Sequence, residues 1–533
     1  MVVAAPDPRW EHVEGPDHPV SGVGGASRVV VIGAGVGGLA VAARLQARGH
    51  AVTLVEQSDR VGGKLASWER DGFVFDTGPS LLTLPAVYRD LFRRTGRPLE
   101  EVLDLQALDP AFGYHFADGT SAVLPGVDPA RCATALGDQL GGSAAADWRR
   151  LMERAAAMWQ ITREPFLESP IDGWQTLARL ARRPADIRTI APGTTLRSLG
   201  RRTLEDPRLV TLLDRYATYT GSDPRRAPAV LATVPYVEQA FGAWHVPGGL
   251  GRIAAALHQR CLDLGVTIHT NWAAARINTQ AESVVSVTSQ IGEELPATIV
   301  IANADASWVY RSVHGTNILH NQERRLARTT PSLAGFVMLL AVRGRTPGLQ
   351  HHNVWFPKDY DAEFDDVFGT RSHRASPPHD PAIYVCAPDD PQMRPDEDHE
   401  SWFVLVNAPR HRQSPDQDRG AIDWCEPGLA ERYGDQVLER LAERGMDVRS
   451  RIVWREIRTP ADLERGVGAP GGAIYGTASN SPSAAFTRPA NRTAVAGLYL
   501  VGGSSHPGGG LPLVGMSARL VAELIGPPKS GRH

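Results

Sequence analysis

Only four cysteines occur in the 533 residues, Cys132, Cys261, Cys386 and Cys425, far apart and without a CxxC pair. Such spacing builds neither a disulfide framework nor a zinc site, so a reducing, cytoplasmic setting is expected. No apolar run of roughly 18 residues is present to span a bilayer. Residues 1–26 are too rich in Pro, Gly and charge for a signal peptide, and a disordered tail is expected there. Charge of one sign is also lacking: the formal balance of −3 is far from the strongly basic footprint of a nucleic-acid binder, and nucleic acid is set aside. There is no internal repeat, no Ser/His/Asp-like motif, no paired-His metal signature and no cysteine nucleophile signal. No metal is expected, and no catalytic base is visible.

With 42% hydrophobic residues, a chain of this length can bury a large core divided among two or more domains. Val29 to Ile32 is β-branched and apolar and runs into Gly33-Ala34-Gly35-Val36-Gly37-Gly38. An Ala- and Leu-rich helical pattern follows to about Gly49, and Ala51 to Val55 reads as a second strand closing on Glu56. This is a βαβ unit. Gly33, Gly35 and Gly38 stand at the GxGxxG spacing, where a tight turn and bare backbone let a pyrophosphate reach a helix N-terminus. Glu56 lies about 20 residues beyond the first glycine, the place of a carboxylate that accepts hydrogen bonds from a ribose.

Beyond Gly72, Phe73 to Phe75 is a short strand leading into the turn Asp76-Thr77-Gly78-Pro79-Ser80. From about Pro85 to Arg215 the pattern is mostly helical and reads as a covering layer. Gly265 leads into a strand reaching Ile277, and Thr298 to Ile301 is another, ending at Asn303. Short strands alternate with polar loops between about Leu333 and Ala408, with a surface loop from Arg371 to Pro381. Near the end, Leu498 to Val501 is a buried-strand candidate. It continues through Gly502-Gly503-Ser504-Ser505-His506-Pro507-Gly508-Gly509-Gly510 into a helix from Leu511 to Ile525. That helix would aim free N–H groups and a positive dipole at whatever precedes it.

The run Arg60-Val61-Gly62-Gly63-Lys64 after Glu56 resembles the first motif of flavin-dependent amine oxidases and carotenoid desaturases, an acidic residue followed by Arg-x-Gly-Gly-Arg/Lys. The likeness narrows at Tyr219-Thr220-Gly221-Ser222-Asp223-Pro224, Val234-Pro235-Tyr236-Val237-Glu238, Asn303-Ala304-Asp305, Arg488-Pro489-Ala490-Asn491 and Ser505 to Pro512. Together these resemble the bacterial phytoene desaturase family, over nearly everything from Arg28 to Ile525. Tyr384-Val385-Cys386-Ala387 and Val406-Asn407-Ala408-Pro409 are closer to its hydroxycarotenoid 3,4-desaturase branch.

The resemblance implies an α/β fold. An FAD/NAD(P)-binding Rossmann-like domain would be assembled from residues 27–95, 240–308 and 488–527, with an inserted α+β substrate domain over 96–239 and 309–487 carrying a helical lid. It implies FAD, held by Gly33, Gly35, Gly37, Gly38, Glu56, Arg60, Gly62, Gly63, Lys64, Ala274, Asn303, Gly502, Gly503, Gly510, Leu511, Pro512 and Val514. Ala274 takes the place of a Val whose backbone lies against the adenine. The implied substrate is a long apolar polyene that loses two hydrogens across a C–C single bond, with oxygen or a quinone as final electron acceptor. His506 is the titratable residue expected nearest the flavin ring. An amine oxidase and a double-bond isomerase of the same fold are the alternatives.

An insoluble substrate calls for peripheral membrane docking. Arg179, Arg182, Arg183, Arg188, Arg197, Arg201, Arg202 and Arg208, beside Trp174, Leu177 and Leu180, form the expected face.

Overall fold

The computed structural model describes residues 27–171, 183–413, 418–481 and 484–528. The expected tail over residues 1–26, and Trp174, Leu177, Arg179, Leu180 and Arg182 of the basic stretch, lie outside the described residues.

One parallel sheet gathers strands from three distant parts of the chain, in the order Leu498–Leu500, Ile299–Ala302, Arg28–Ile32, Ala51–Val55, Thr267–His269. Val30 pairs with Val300 and Thr53, and Ile301 with Tyr499. A parallel sheet must be covered on both faces, which is why these strands are short, β-branched and almost wholly apolar. On one face Val29, Val31 and Leu54 pack under the helices Val36–Gln46, Gly251–Asp263 and Leu511–Ile525. On the other, Val30, Val300 and Leu500 meet Trp272, Ile277 from a four-stranded sheet, and Val309 from the helix Ala306–Ser312.

A second sheet of seven strands runs in the order Ile452–Arg458, Ala334–Arg343, His399–Ala408, Ile383–Cys386, His352–Trp355, Phe112–His115, Ser121–Leu124. All its pairs are antiparallel except His352–Trp355 with Phe112–His115. Strand alternation sends Phe336, Met338, Trp402 and Val404 to one face, under the helix Leu429–Glu443. The opposite face carries Phe112, Tyr114, Val337, Leu339, Tyr384 and Leu405 toward the helical layer and toward Phe73 and Phe75.

Three local expectations need correction. The stretch from Pro85 to Arg215 is not simply helical: Phe112–His115 and Ser121–Leu124 form a hairpin that extends the seven-stranded sheet. Four-residue strands leave too little periodicity to stand out between helices. The strand read from Gly265 to Ile277 is two, Thr267–His269 and Ala274–Gln280, broken at Asn271, whose φ of 55° turns the corner. Asn tolerates that left-handed region better than other side chains. Between Leu333 and Ala408 the strands are not all short, because Ala334–Arg343 and His399–Ala408 run ten residues each, and a helix, Tyr360–Phe368, lies between them.

Candidate active site

Two helices start beside each other with bare ends. The helix Val36–Gln46 has Gly35 as its N-cap, no side-chain cap and no acid in its first turn; Leu511–Ile525 starts from Gly510 in the same way. Their first turns touch: a Cβ on Gly37 would stand 3.2 Å from Val514 Cγ1 and from Gly502 Cα. Each uncapped N-terminus leaves backbone N–H groups and a positive dipole for an anion or an electron-rich ring edge.

Asn303, at the end of the strand Ile299–Ala302, ties these turns together. Its Nδ2 donates to the Gly33 carbonyl at 3.3 Å. A Cβ on Gly35, Gly37 or Gly502 would come within 2.8 Å of its side-chain amide, and one on Gly33, at a φ of 92°, within 2.6 Å of its carbonyl. Gly38 is needed for a different contact, since its Cβ would fall on the Gly33 carbonyl. The glycines therefore bring two turns and one amide into a single crevice at the carboxyl ends of parallel strands, where open α/β sheets bind nucleotides.

Glu56 accepts from Ala34 N at 2.7 Å through Oε2, and from Ser58 N and Oγ at 3.0 and 2.8 Å through Oε1. Its own backbone carbonyl accepts from Trp272 N, which brings Ala274 alongside. Gly62 and Gly63 sit at φ 112° and 58°, and the Gly62 N–H donates to Ala34, laying this turn over Gly35. Arg60 is exposed. Lys64 instead points inward: its Nζ donates to the Ile474 carbonyl at 2.7 Å, and burial lowers its pKa to about 8. Gly503 gives its carbonyl to Arg488. Leu511 and Pro512 are buried, and the Tyr88 hydroxyl donates to the Leu511 carbonyl at 2.8 Å.

His506 is fully buried, its ring edge-on to Phe166 at 5.2 Å. Its Nε2 lies 2.9 Å from the Ser169 carbonyl, which can only accept, so Nε2 carries the hydrogen. Burial pushes its pKa down to about 4, which keeps it neutral. In this position the imidazole fastens the segment after the helix Ala144–Thr162 onto the glycine loop.

Several buried polar groups, some of them inside the motifs above, take partners that the motifs do not disclose. Arg488 donates to the carbonyls of Tyr475, Gly503 and Thr477 at 2.8 to 2.9 Å. Asp76 accepts from Leu250 N and Gly251 N at 2.7 and 2.8 Å, and burial raises its pKa to about 6. His351, His352 and Cys386 bring ligand-type atoms within 4.8 Å of one another, a grouping absent from the metal-free sequence reading because it forms only across paired strands. Arg215, Tyr219, Glu238 and Tyr384 meet from three separate segments.

The architecture is that of a flavin-dependent oxidoreductase of α/β fold. The chain belongs to the flavin containing amine oxidoreductase family, whose model matches residues 36–375, and FAD is its cofactor. It is 33% identical over 505 residues to a 4,4'-diapolycopene oxygenase of Methylomonas, covering 93% of this chain and 98% of that one. It is also 33% identical over 499 residues to a hydroxyneurosporene desaturase of Rhodobacter capsulatus, covering 93% and 97%. Among solved structures, putrescine oxidase bound to putrescine matches with a TM-score of 0.60 at 15% identity, over 94% of this chain and 99% of that one. An oxidoreductase from Methanosarcina mazei matches with a TM-score of 0.60 at 16% identity, over 93% and 100%. At such identity these two speak for the fold alone.

Proposed function

We propose that the protein is an FAD-dependent carotenoid desaturase that introduces C=C bonds into an acyclic polyene. The observation that carries this reading is a lane across the seven-stranded sheet. Val337, Leu405 and Tyr384 are cross-strand neighbours on three adjacent interior strands, and all three stay partly exposed where their neighbours are buried. Beyond Tyr384 the row is closed by Val354 and Tyr114, both buried. An interior strand that keeps apolar surface open has a ligand to cover it, and a long hydrocarbon fits a lane one side chain wide.

Bound between the two bare helix ends, FAD would supply the two-electron acceptor. The chain's own contribution is orientation and exclusion of water: the lane holds the polyene straight, and the Rossmann-like segments 27–95, 240–308 and 488–527 present the acceptor to it. The two hydrogens leave neighbouring carbons, one with its electron pair and one as a proton. Polyene conjugation spreads the developing charge, so no strong base is demanded of His506 or any other residue. Among the described residues, the acid beside Arg215 is not free for a cationic amine. Glu238 already accepts from Tyr216 and Tyr219, and Arg215 stands beside it.

The curated relatives include oxygenases as well as a desaturase, at equal identity, which favours oxygen insertion as the second reading. Cells accumulating phytoene and cells accumulating hydroxylated acyclic carotenoids, each producing this protein, test both. A product two hydrogens lighter with a red-shifted spectrum supports desaturation; mass gained from labelled oxygen supports the second reading, and amine-dependent peroxide with unchanged carotenoids overturns both.

The substrate dissolves in membranes, and among the described residues no helix is long and apolar enough to cross one. Docking at the surface is therefore part of the proposal. The helix Pro184–Ile190 supports it, with Ile187 exposed between the exposed Arg183 and Arg188; Arg201 and Arg202 are exposed as well. Arg197 does not belong to that face: it is buried and paired with Asp214 and Asp361. Arg208 is tied to Asp206 at 2.7 Å. Flotation with anionic vesicles at low salt, lost at high salt, is the expected result; a protein left in the soluble fraction at low salt speaks against docking.

A further inference from the structure

The seven-stranded sheet holds a histidine–cysteine grouping that the proposed reaction leaves unused. Cys386 stands two residues beyond Tyr384 on the same strand, and so on the same face, and it is the direct cross-strand partner of His352. His351 precedes the strand His352–Trp355, so strand alternation does not turn its ring away from that of His352; the two ring centroids are 4.6 Å apart. One ring nitrogen from each histidine and the Cys386 Sγ all lie within 4.8 Å of one another.

The polar atoms of this corner are unevenly used. His352 is fully buried, and its Nδ1 is joined to the Tyr384 hydroxyl at 2.8 Å, which is joined in turn to Ser80 Oγ at 2.7 Å. Its Nε2 has no partner. A ring nitrogen left unpaired in the interior is costly, whereas a ring held through one nitrogen with the other left over is the arrangement of a metal-bound histidine. Burial keeps both imidazoles neutral, His352 at a pKa of about 3 and His351 well below its ordinary value, so no proton contests their lone pairs at neutral pH. Burial pushes the Cys386 thiol up, and an arriving cation displaces its proton to solvent and takes the thiolate.

Charge is balanced from behind. The His245 ring stands 4.8 Å from that of His351, and its Nε2 lies 2.9 Å from Asp390 Oδ2. Asp390 is buried and also accepts from Gly248 N at 2.6 Å, so it lends a negative field without being free to act as a ligand. Two imidazoles and a thiolate are borderline to soft donors; they pass over Mg(II) and Ca(II) and favour thiophilic d10 ions. His351 keeps part of its surface open, which gives such an ion a way in and the ring room to close on it.

We propose that His351, His352 and Cys386 form a three-ligand site for a thiophilic transition-metal ion, Zn(II) or Cu(I). The ion ties the start of one strand to the end of its neighbour beside Tyr384. The inference does not rest on the desaturase reading, since the ligands belong to the sheet whatever lies in the lane.

The test uses the flavin-loaded protein, stripped with a chelator and titrated without oxygen with Zn(II) against a chromophoric chelator, and with Cu(I) in a parallel series. One equivalent of one of these ions per chain is expected to be retained. For Zn(II), X-ray absorption is expected to show one sulfur at about 2.3 Å and nitrogens at about 2.0–2.1 Å. Cys386→Ala removes the sulfur. His351→Ala, at the partly exposed ligand and so milder for the fold, lowers affinity by at least the roughly 10- to 100-fold that loss of an outer-shell partner costs. Flavin absorbance reports that both variants are folded. Among the described residues His411, Asp423 and Cys425 also bring ligand-type atoms together, but Cys425 is exposed. Cys425→Ala is therefore the control and should leave both the equivalent and its sulfur in place. Retention of neither ion by the wild-type protein would overturn the inference. So would a sulfur that survives Cys386→Ala or leaves with Cys425→Ala, or an affinity unchanged in His351→Ala.

Discussion

Glu56 and the glycines around Asn303 make the sharpest residue-level predictions. Glu56→Gln removes charge from the carboxylate that braces the glycine turn and is expected to weaken FAD binding by ~1–3 kcal/mol, roughly 5- to 150-fold in Kd, measured by flavin fluorescence titration. Gly35→Val has a harsher outcome, because a Cβ there stands 2.8 Å from Asn303 Nδ2 and helix N-terminus and amide must separate; a folded but colourless protein is expected on purification. His506 supplies a pH test. Its pKa is about 4 in the folded protein against an ordinary 6.5, so between those values the unfolded chain binds more protons and stability is lost as pH falls from about 6.5 toward 4. His506→Gln keeps a donor for the Ser169 carbonyl without titrating. Denaturant unfolding should show up to ~3 kcal/mol less acid destabilisation in that variant. An unchanged acid limb would mean that His506 is protonated in the folded state.

The same residues mark how far a sequence can be read. Glycines at fixed spacing and an acid at the end of the next strand are local facts, and Gly33 to Gly38 and Glu56 stand on the turns where those rules put them. Lys64, Arg215 and Arg488 are different, since their roles depend on Ile474, Tyr384 and Tyr475, from chain segments that meet only when the fold closes. No spacing rule connects them. The inward turn of Lys64 and of Arg197 could not be told from a solvated charge.

Among the elements, the helix Leu511–Ile525 was legible to the residue because Gly510 stops the preceding backbone and Pro512 suits a first turn. The hairpin Phe112–His115 and Ser121–Leu124 was not, being stabilised by its place in a sheet whose other strands lie more than 200 residues further on. The C-terminal helix carries its own prediction. A chain ending after Gly510 loses Val514 from Gly37 and the apolar cover of the helix Val36–Gln46, including Ala518, Val521 and Ala522. That chain should retain no flavin through gel filtration. Yellow protein from it would mean that the first βαβ unit holds FAD alone.

For the whole molecule, the proposed cofactor and substrate surfaces belong to different sheets joined through partly buried contacts such as Lys64 with Ile474, Ser80 with Tyr384 and Arg488 with Tyr475. FAD should therefore stabilise more than its own sheet. At a free concentration 100-fold above Kd it adds about 2.7 kcal/mol, and calorimetry should show a single transition moved upward by a few degrees. Two separate transitions, with only one shifted, would mean that the sheets unfold independently.

The order of strands in the parallel sheet also sets a clock. Two of its inner strands are made first, between residues 28 and 55; the third inner strand and one edge arrive at residues 267–302, and the other edge only at 498–500. At about 5–20 residues per second a ribosome needs on the order of half a minute or more to cover that span. Until about residue 302 the outer edges of Arg28–Ile32 and Ala51–Val55 wait without their neighbours, and the cover of the helix Leu511–Ile525 comes later still. If FAD sits between the two helix ends as proposed, flavin loading waits until the final helix has emerged, and until then the nascent chain is a client for whatever shields exposed strands in the cell.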